Sequence, residues 1–153
     1  MEFKKIIKHS FTIIGKEGST KDGPDFVRKL WDEANAHFGE VAFLAKKDQS
    51  GVFQGFWGAM SDFSREFKPW EDFSQGLYLA GVEANDNAVP PQGWVKWVIP
   101  GFEYIVAKAE EVGFREALAY LSEHDLPLVG AVHEYYCPKE NGQMYLFFPI
   151  RKL

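Results

Sequence analysis

The chain has 153 residues, of which 46% are hydrophobic and 16% aromatic, and its 22 acidic and 17 basic residues give a formal net charge of -5. This length and apolar content predict one compact domain over residues 1–153 and exclude intrinsic disorder. The Lys and Arg residues are scattered and usually lie beside Asp or Glu, which argues against a direct nucleic acid partner.

The first half of the chain predicts a strand, a helix and two further strands. Residues 3–15 are apolar and β-branched, which predicts a single strand. Residues 24–38 carry apolar side chains at steps of three and four and predict an amphipathic helix, with Trp31 packed in the core. Residues 52–60 and 77–84 predict the two strands that follow.

Glycine and proline residues in this half indicate an irregular strand and a linker. Gly55 and Gly58 lie within the strand predicted at 52–60 and indicate bulges or a close backbone approach. Residues 85–93 contain Pro90-Pro91 and predict the linker to the second half.

The second half repeats this order of elements. They are a long strand at 94–107, a helix at 112–121, and hairpin strands at 129–137 and 144–150. The long strand is expected to bend at Pro100-Gly101, and Asn141-Gly142 predicts the turn of the hairpin.

Both halves therefore predict a β-α-β-β unit, and the fold class is α+β. The simplest architecture is a pseudo-symmetric pair of half-repeats, about 1–88 and 92–153, in which two small sheets share a concave ligand groove. No residue-level repeat relates the halves, so the duplication is inferred from topology alone.

Cysteine and histidine usage argues against a disulfide or a metal site. Cys137 is the single cysteine, and the four histidines lack the spacing of metal ligands. We expect neither a metal nor a cofactor. The chain has no apolar run long enough for a membrane span and no leader cleavage site, so a cytoplasmic protein is the default expectation.

Glu134 lies within a strand that is otherwise apolar and aromatic. Withdrawing an ionised carboxylate from water is unfavourable unless a cation, hydrogen bonds or a raised pKa offsets it. Aromatic faces beside such an acid are one way in which proteins hold organic cations. The alternative is that Glu134 points to solvent together with Val132 and Tyr136.

Four segments, taken in order, resemble the GyrI-like small-molecule-binding domain, the effector-binding module of AraC-type and MerR-type multidrug regulators. They are Tyr78-Leu79-Ala80-Gly81-Val82-Glu83, Ile99-Pro100-Gly101-Phe102-Glu103-Tyr104, His133-Glu134-Tyr135-Tyr136 and Phe147-Phe148-Pro149-Ile150. The resemblance spans essentially the whole chain. It implies a SOUL-like fold with an aromatic-lined groove and an acid near its floor.

The resemblance assigns the floor acid to Glu134, which would pair with a lipophilic cation. It also suggests Phe147 as a groove residue. Trp57 is a further candidate, because pseudo-symmetry sets its strand against that of Glu134, and strand parity places Tyr136 on the face of Glu134. For three further candidates the sequence does not decide on which face of the sheet the side chain lies: Tyr104, Trp97 and Tyr78. Trp94 and Trp97 differ by three residues and should face opposite sides of their strand.

Three functions remain open at this point. The first is a stand-alone module, with no DNA-binding segment ahead of it, that senses or sequesters lipophilic cations. The second is a hydrolase of reactive cyclopropane-containing compounds with Glu134 as general base. The third is a protein-interaction module of the gyrase-inhibitor type, with a protein partner or a homodimer.

Overall fold

A computed structural model describes residues 2–153, which form eight strands and two α-helices. The strands are β1 Lys4–Lys8, β2 Phe11–Ser19, β3 Phe56–Ser61, β4 Leu77–Ala84, β5 Val95–Ile99, β6 Phe102–Lys108, β7 His133–Cys137 and β8 Gln143–Lys152, and the helices are α1 Phe26–Ala36 and α2 Phe114–Glu123. The predicted α+β class is confirmed. No helix in this part of the chain is long and apolar enough to cross a membrane.

All eight strands join one curled antiparallel sheet, in the order β1-β6-β8-β7-β3-β4-β2-β5. The expectation of two separate small sheets is therefore wrong. Strands β3 and β7, one from each half, pair at the centre, with Trp57 opposite Tyr135 and Gly58 opposite Glu134. This pairing gives the backbone groups at the edge of each half-sheet a partner that two separate sheets would lack.

The two long strands predicted at 3–15 and 94–107 are each divided in two, at His9-Ser10 and at Pro100-Gly101. Before the corner, Lys4 to Lys8 pair with Val106 to Phe102, and after it Phe11 to Gly15 pair with Ile99 to Val95. The two corners lie against each other, because a Cβ at Gly101 would be 3.3 Å from the Ser10 nitrogen. One two-stranded ribbon thus bends at a shared corner and links the halves.

The two faces of the sheet have different coverings. On the helix face, α1 packs on Ile14 and Val82, and α2 packs on Ile105 and Phe148. The opposite face, called the inner face below, carries its own apolar core, which includes Ile13, Leu79, Trp57, Tyr104 and Phe147. Each predicted strand therefore contributes side chains to two separate environments.

The β7–β8 hairpin turns where the sequence predicts it. Asn141 and Gly142 have φ values of 56° and 79°, in the left-handed region that Asn and Gly adopt most readily. The turn sets the register that places Glu134 opposite Leu146 and His133 opposite Phe147. Local turn chemistry therefore fixes which residues flank the acid.

Candidate ligand-binding site

Glu134 lies on the helix face, and its carboxylate extends over β3 toward β4. The Tyr78 hydroxyl on β4 donates a hydrogen bond of 2.5 Å to Glu134 Oε1. Gly58 on the intervening strand makes this bond possible, because a Cβ there would be 1.9 Å from Tyr78 Oη and 2.5 Å from Glu134 Oε1. The close approach predicted at Gly58 is thus confirmed, and it belongs to the surroundings of the acid.

Two further groups complete the acid–tyrosine cluster, which consists of Glu134, Tyr78, Tyr136 and Trp31. The indole Nε1 of Trp31 on α1 donates to Tyr78 Oη at 2.9 Å, so Tyr78 accepts from the helix and donates to the acid. Tyr136 Oη lies 3.4 Å from Glu134 Oε1. The two tyrosine hydroxyls donate to the carboxylate, an arrangement that suits its ionised form.

The half-buried Glu134 has no counter-charge within the part of the chain that the structure describes. Among residues 2–153, no Lys, Arg or His nitrogen lies within 4.0 Å of its carboxylate oxygens. Loss of water on burial raises the pKa of Glu134, and the hydrogen bonds from Tyr78 and Tyr136 lower it in part. Burial, followed by the charge of Glu134, raises the pKa of Tyr136 to about 12, so this phenol stays protonated at neutral pH.

A cavity of about 340 Å³ opens beside the cluster, between α1 and the β3–β7 pair. Its walls are Trp31 and Asn35 of α1 together with Phe56 and Tyr136 of the sheet. The rings of Trp31 and Tyr136 meet edge to face, with centroids 5.4 Å apart. Glu134 itself is not a wall residue, but Tyr136 lines the cavity and its hydroxyl lies next to the carboxylate.

The seven predicted site residues divide between the two faces. Glu134, Tyr136 and Tyr78 come together on the helix face, as the parity argument for Tyr136 requires. Four others lie in the inner-face core: Trp57, Phe147, Tyr104 and Trp97. Their participation in binding stays a prediction.

The expectation that Trp57 and Phe147 share a groove with Glu134 is corrected. Strand β3 does lie against β7, but Trp57 pairs with Tyr135, one residue from the Gly58–Glu134 pair. Neighbouring residues of a strand face opposite sides, so the indole of Trp57 points away from the acid. The same parity separates Trp94, on the helix face, from Trp97, on the inner face.

Three wall residues were not predicted. Trp31 was assigned to the core, yet it is half-buried and lines the cavity, and Phe56 and Asn35 were not singled out. Phe56 pairs with Tyr136 across the β3–β7 ladder. Nothing local to residue 56 signals that pairing, since the register joins strands about 80 residues apart.

Histidine and acidic side chains do not cluster as metal ligands in the part of the chain that the structure describes. Residues 2–153 contain no group of three His, Cys, Asp or Glu side chains arranged to hold one. His133, next to the acid, faces the inner side, and its Nδ1 accepts a hydrogen bond from the Met60 backbone nitrogen at 3.1 Å. Burial lowers the pKa of His133 to about 3, so its ring is neutral at pH 7.

No family model and no curated protein matches the chain, whereas solved structures do. SAV2435 bound to tetraphenylphosphonium aligns with a TM-score of 0.67 at 17% identity, covering 99% of this chain and 94% of that one. A putative bacterial transcription regulation protein from Staphylococcus aureus MU50 aligns with a TM-score of 0.65 at 14% identity, covering 99% of both chains.

The C-terminal domain of EcmrR aligns over 100% of both chains, with a TM-score of 0.61 at 12% identity. At these identities the likeness concerns the fold. The chain has the GyrI-like fold that its four sequence segments resemble.

Proposed function

We propose that this protein binds lipophilic organic cations in the cavity under α1, with Glu134 as the counter-charge. The observation that carries the proposal is a half-buried carboxylate that has no cationic partner among residues 2–153 and lies beside an aromatic cavity. A cation in that cavity would supply the missing charge. The proposed binding site is the cavity lined by Trp31, Asn35, Phe56 and Tyr136.

The cavity suits such a guest in size and in wall chemistry. A volume of about 340 Å³ falls at the lower end of the range for small-molecule sites, roughly 300 to 1,000 Å³. The faces of Trp31 and Tyr136 attract a cation by about 0.5 to 2 kcal/mol each when water is excluded. Tyr136 also links the guest to Glu134, because its hydroxyl faces the carboxylate and its ring faces the cavity.

The structural neighbours are consistent with this chemistry. SAV2435 was solved with tetraphenylphosphonium, a lipophilic cation, and EcmrR was solved in a complex with DNA. By analogy, we propose that this chain senses or sequesters a cation of that class.

Calorimetric titration with two ions of similar shape and opposite charge tests the proposal. Wild-type protein should bind tetraphenylphosphonium and reject tetraphenylborate. Glu134→Gln keeps an acceptor for the Tyr78 hydroxyl but removes the charge, and it should weaken tetraphenylphosphonium binding about tenfold to a hundredfold, or roughly 1.4 to 2.7 kcal/mol. Triphenylphosphine oxide, a neutral analogue, should be affected far less.

Glu103→Gln is the matched control, because Glu103 forms an ion pair with Arg151 at the surface. It should leave both affinities unchanged. Equal weakening of the cation and the neutral oxide by Glu134→Gln would rule out the counter-charge role of Glu134.

A hydrolytic role is the second candidate, and the environment of Glu134 is the observation that favours it. A carboxylate whose pKa is raised by burial is better suited to accept a proton from water than an ordinary glutamate. Incubation with reactive cyclopropane compounds, followed by mass spectrometry, distinguishes the two roles. Turnover that is absent from a Glu134→Ala variant would favour catalysis over binding alone.

A further inference from the structure

A second buried carboxylate, Glu83, lies on the inner face of the sheet. Glu83 is only 4% exposed, near the end of β4. Its Oε1 accepts a hydrogen bond of 3.1 Å from the Trp57 indole, and its Oε2 lies 3.3 Å from the Lys8 ammonium. Unlike Glu134, this acid already has a cation, and the cation belongs to the chain itself.

The Lys8 ammonium is held in the same way as an organic cation would be. Its nitrogen lies 4.4 Å from the centroid of the Phe11 ring and 5.7 Å from that of Trp57, as well as beside Glu83. An acid combined with aromatic faces is a general arrangement for binding ammonium groups. The ammonium of Lys8, although part of the chain, therefore occupies a site that could bind a free cation.

Open space adjoins this ion pair. A cavity of about 280 Å³ is lined by the ion pair, by Gln54 and by mostly apolar or aromatic side chains, among them Trp57, Tyr135, Phe147 and Ile6. The Trp57 ring lies 4.6 Å from that of Tyr135 and 5.0 Å from that of Phe147. An apolar group attached to an ammonium could occupy this space while the ammonium contacts Glu83.

We propose that this cavity, called the Glu83 cavity, is a second ligand site, specific for a primary ammonium that carries a small apolar group. In the free protein the ammonium of Lys8 fills the charged position. An external amine binds by taking the place of Lys8 on Glu83. The proposal does not depend on the Glu134 site, which lies on the other face of β3 and β4.

The two side chains of the ion pair differ in how easily they can move into solvent. The Lys8 side chain is 26% exposed and lies at the end of edge strand β1, whereas the Glu83 side chain is 5% exposed. Lys8 can therefore turn into water, and Glu83 cannot. Because a buried carboxylate without a partner is strongly unfavourable, Lys8 leaves only when another cation replaces it.

This exchange selects the ligand. A quaternary cation has no N–H and cannot donate a hydrogen bond to Glu83 Oε2 as Lys8 does, but a primary ammonium can. A neutral alcohol of the same shape leaves Lys8 in place and gains only the apolar contacts. Charge and donor capacity, rather than size alone, should set affinity at the Glu83 cavity.

NMR of the Trp57 indole N–H, assigned with Trp57→Phe, reports on this cavity, because that group donates to Glu83. Benzylammonium should shift the Trp57 resonance of wild-type protein in a saturable manner, and benzyl alcohol should not. Lys8→Ala removes the tethered competitor and should tighten benzylammonium binding at least tenfold. It should also lower the Tm, and benzylammonium should restore the Tm while benzyl alcohol should not.

Lys4→Ala is the matched control, because Lys4 lies on the same strand and pairs with Glu2 in solvent. It should change neither affinity nor Tm. Glu83→Gln should abolish the benzylammonium shift, and Glu134→Gln should leave it intact, which separates this site from the one under α1. A Lys8→Ala protein that is folded but shows no saturable shift with benzylammonium would overturn the proposal.

Discussion

The buried tryptophans of this protein are tied to acids through their indole nitrogens. Trp57, Trp94 and Trp97 donate to Glu83, Glu40 and Glu17, respectively. A buried indole needs an acceptor for its N–H, and a carboxylate is a strong one. The high aromatic content thus creates several acid–aromatic sites as well as a core.

Glu134 differs from the other acids in what balances its charge. Glu17 pairs with Arg65 and Glu83 with Lys8, whereas Glu134 has only hydroxyl donors among the described residues. Identical side chains in similar aromatic surroundings therefore have different roles. Glu17 and Glu83 each have a basic side chain of the same chain beside them, and Glu134 leaves that position to a cation from outside.

The raised pKa of Glu134 predicts a pH-dependent cost to stability. The folded state holds the Glu134 proton more tightly than the unfolded state, so the free energy of unfolding falls as pH rises from 4.5 through the raised pKa. Glu134→Gln should therefore raise the Tm at pH 7, and the gain should shrink to nothing below pH 4. Melting curves between pH 3.5 and 8 measure the difference.

The control for this measurement is again Glu103→Gln, whose surface ion pair is worth about 0 to 1 kcal/mol. A gain from Glu134→Gln that is the same at every pH would mean that Glu134 does not titrate in this range.

At the scale of elements, the strands were predicted best where both faces are buried. All eight residues of β4 are buried, and its bounds, Leu77–Ala84, agree with the prediction. Helix α1 is shorter than predicted, at Phe26–Ala36, and α2 ends later, at Glu123. Helix ends depend on a few local hydrogen bonds, so apolar periodicity locates them only within about two residues.

The hydrogen bond that joins Tyr78 on β4 to Glu134 on β7 depends on Gly58 of the intervening strand β3. Gly58→Ala would place a methyl group where the Tyr78–Glu134 hydrogen bond passes over β3. We expect the substitution to break that bond and to lower the free energy of unfolding by about 1 to 3 kcal/mol, the usual cost of overpacking. Urea unfolding measures the loss, and the affinity for tetraphenylphosphonium should fall with it.

Gly39→Ala is a suitable control, since nothing lies within 4 Å of a Cβ at Gly39. Its effect should stay within about 0.5 kcal/mol, as at most surface positions. Equal stability of Gly58→Ala and Gly39→Ala would contradict the arrangement at β3.

At the scale of the whole molecule, the two halves are interlocked. Strand β1 of the first half pairs only with β6, and β5 of the second half pairs only with β2. Together with the β3–β7 pair, these contacts distribute the sheet over both half-repeats. The two candidate cavities lie on opposite faces of the same β3–β7 pair, so both depend on the complete sheet.

This interlocking predicts that neither half folds alone. A protease site inserted in the linker at Val89, which is 77% exposed, should give a nicked protein that stays associated and native by circular dichroism. Residues 1–88 expressed alone should be unfolded, because β2 and β3 each lose a neighbouring strand. Addition of residues 92–153 should restore the native spectrum.

An insert of equal length without the cleavage sequence is the control for the linker. A residue 1–88 fragment with dispersed amide resonances and a cooperative thermal transition would show that the first half is independent.

The sequence by itself determined the order of helices and strands except for the division at His9-Ser10, as well as the hairpin turn, the bend at Pro100-Gly101 and the face shared by Glu134 and Tyr136. These features follow from local periodicity, turn residues and strand parity, which operate within a few positions. Only the tertiary structure decided that Trp57 faces Glu83 rather than Glu134, and that Trp31 and Phe56 line the cavity. Such facts depend on the register between strands far apart in the chain, where a shift of one residue exchanges the two faces.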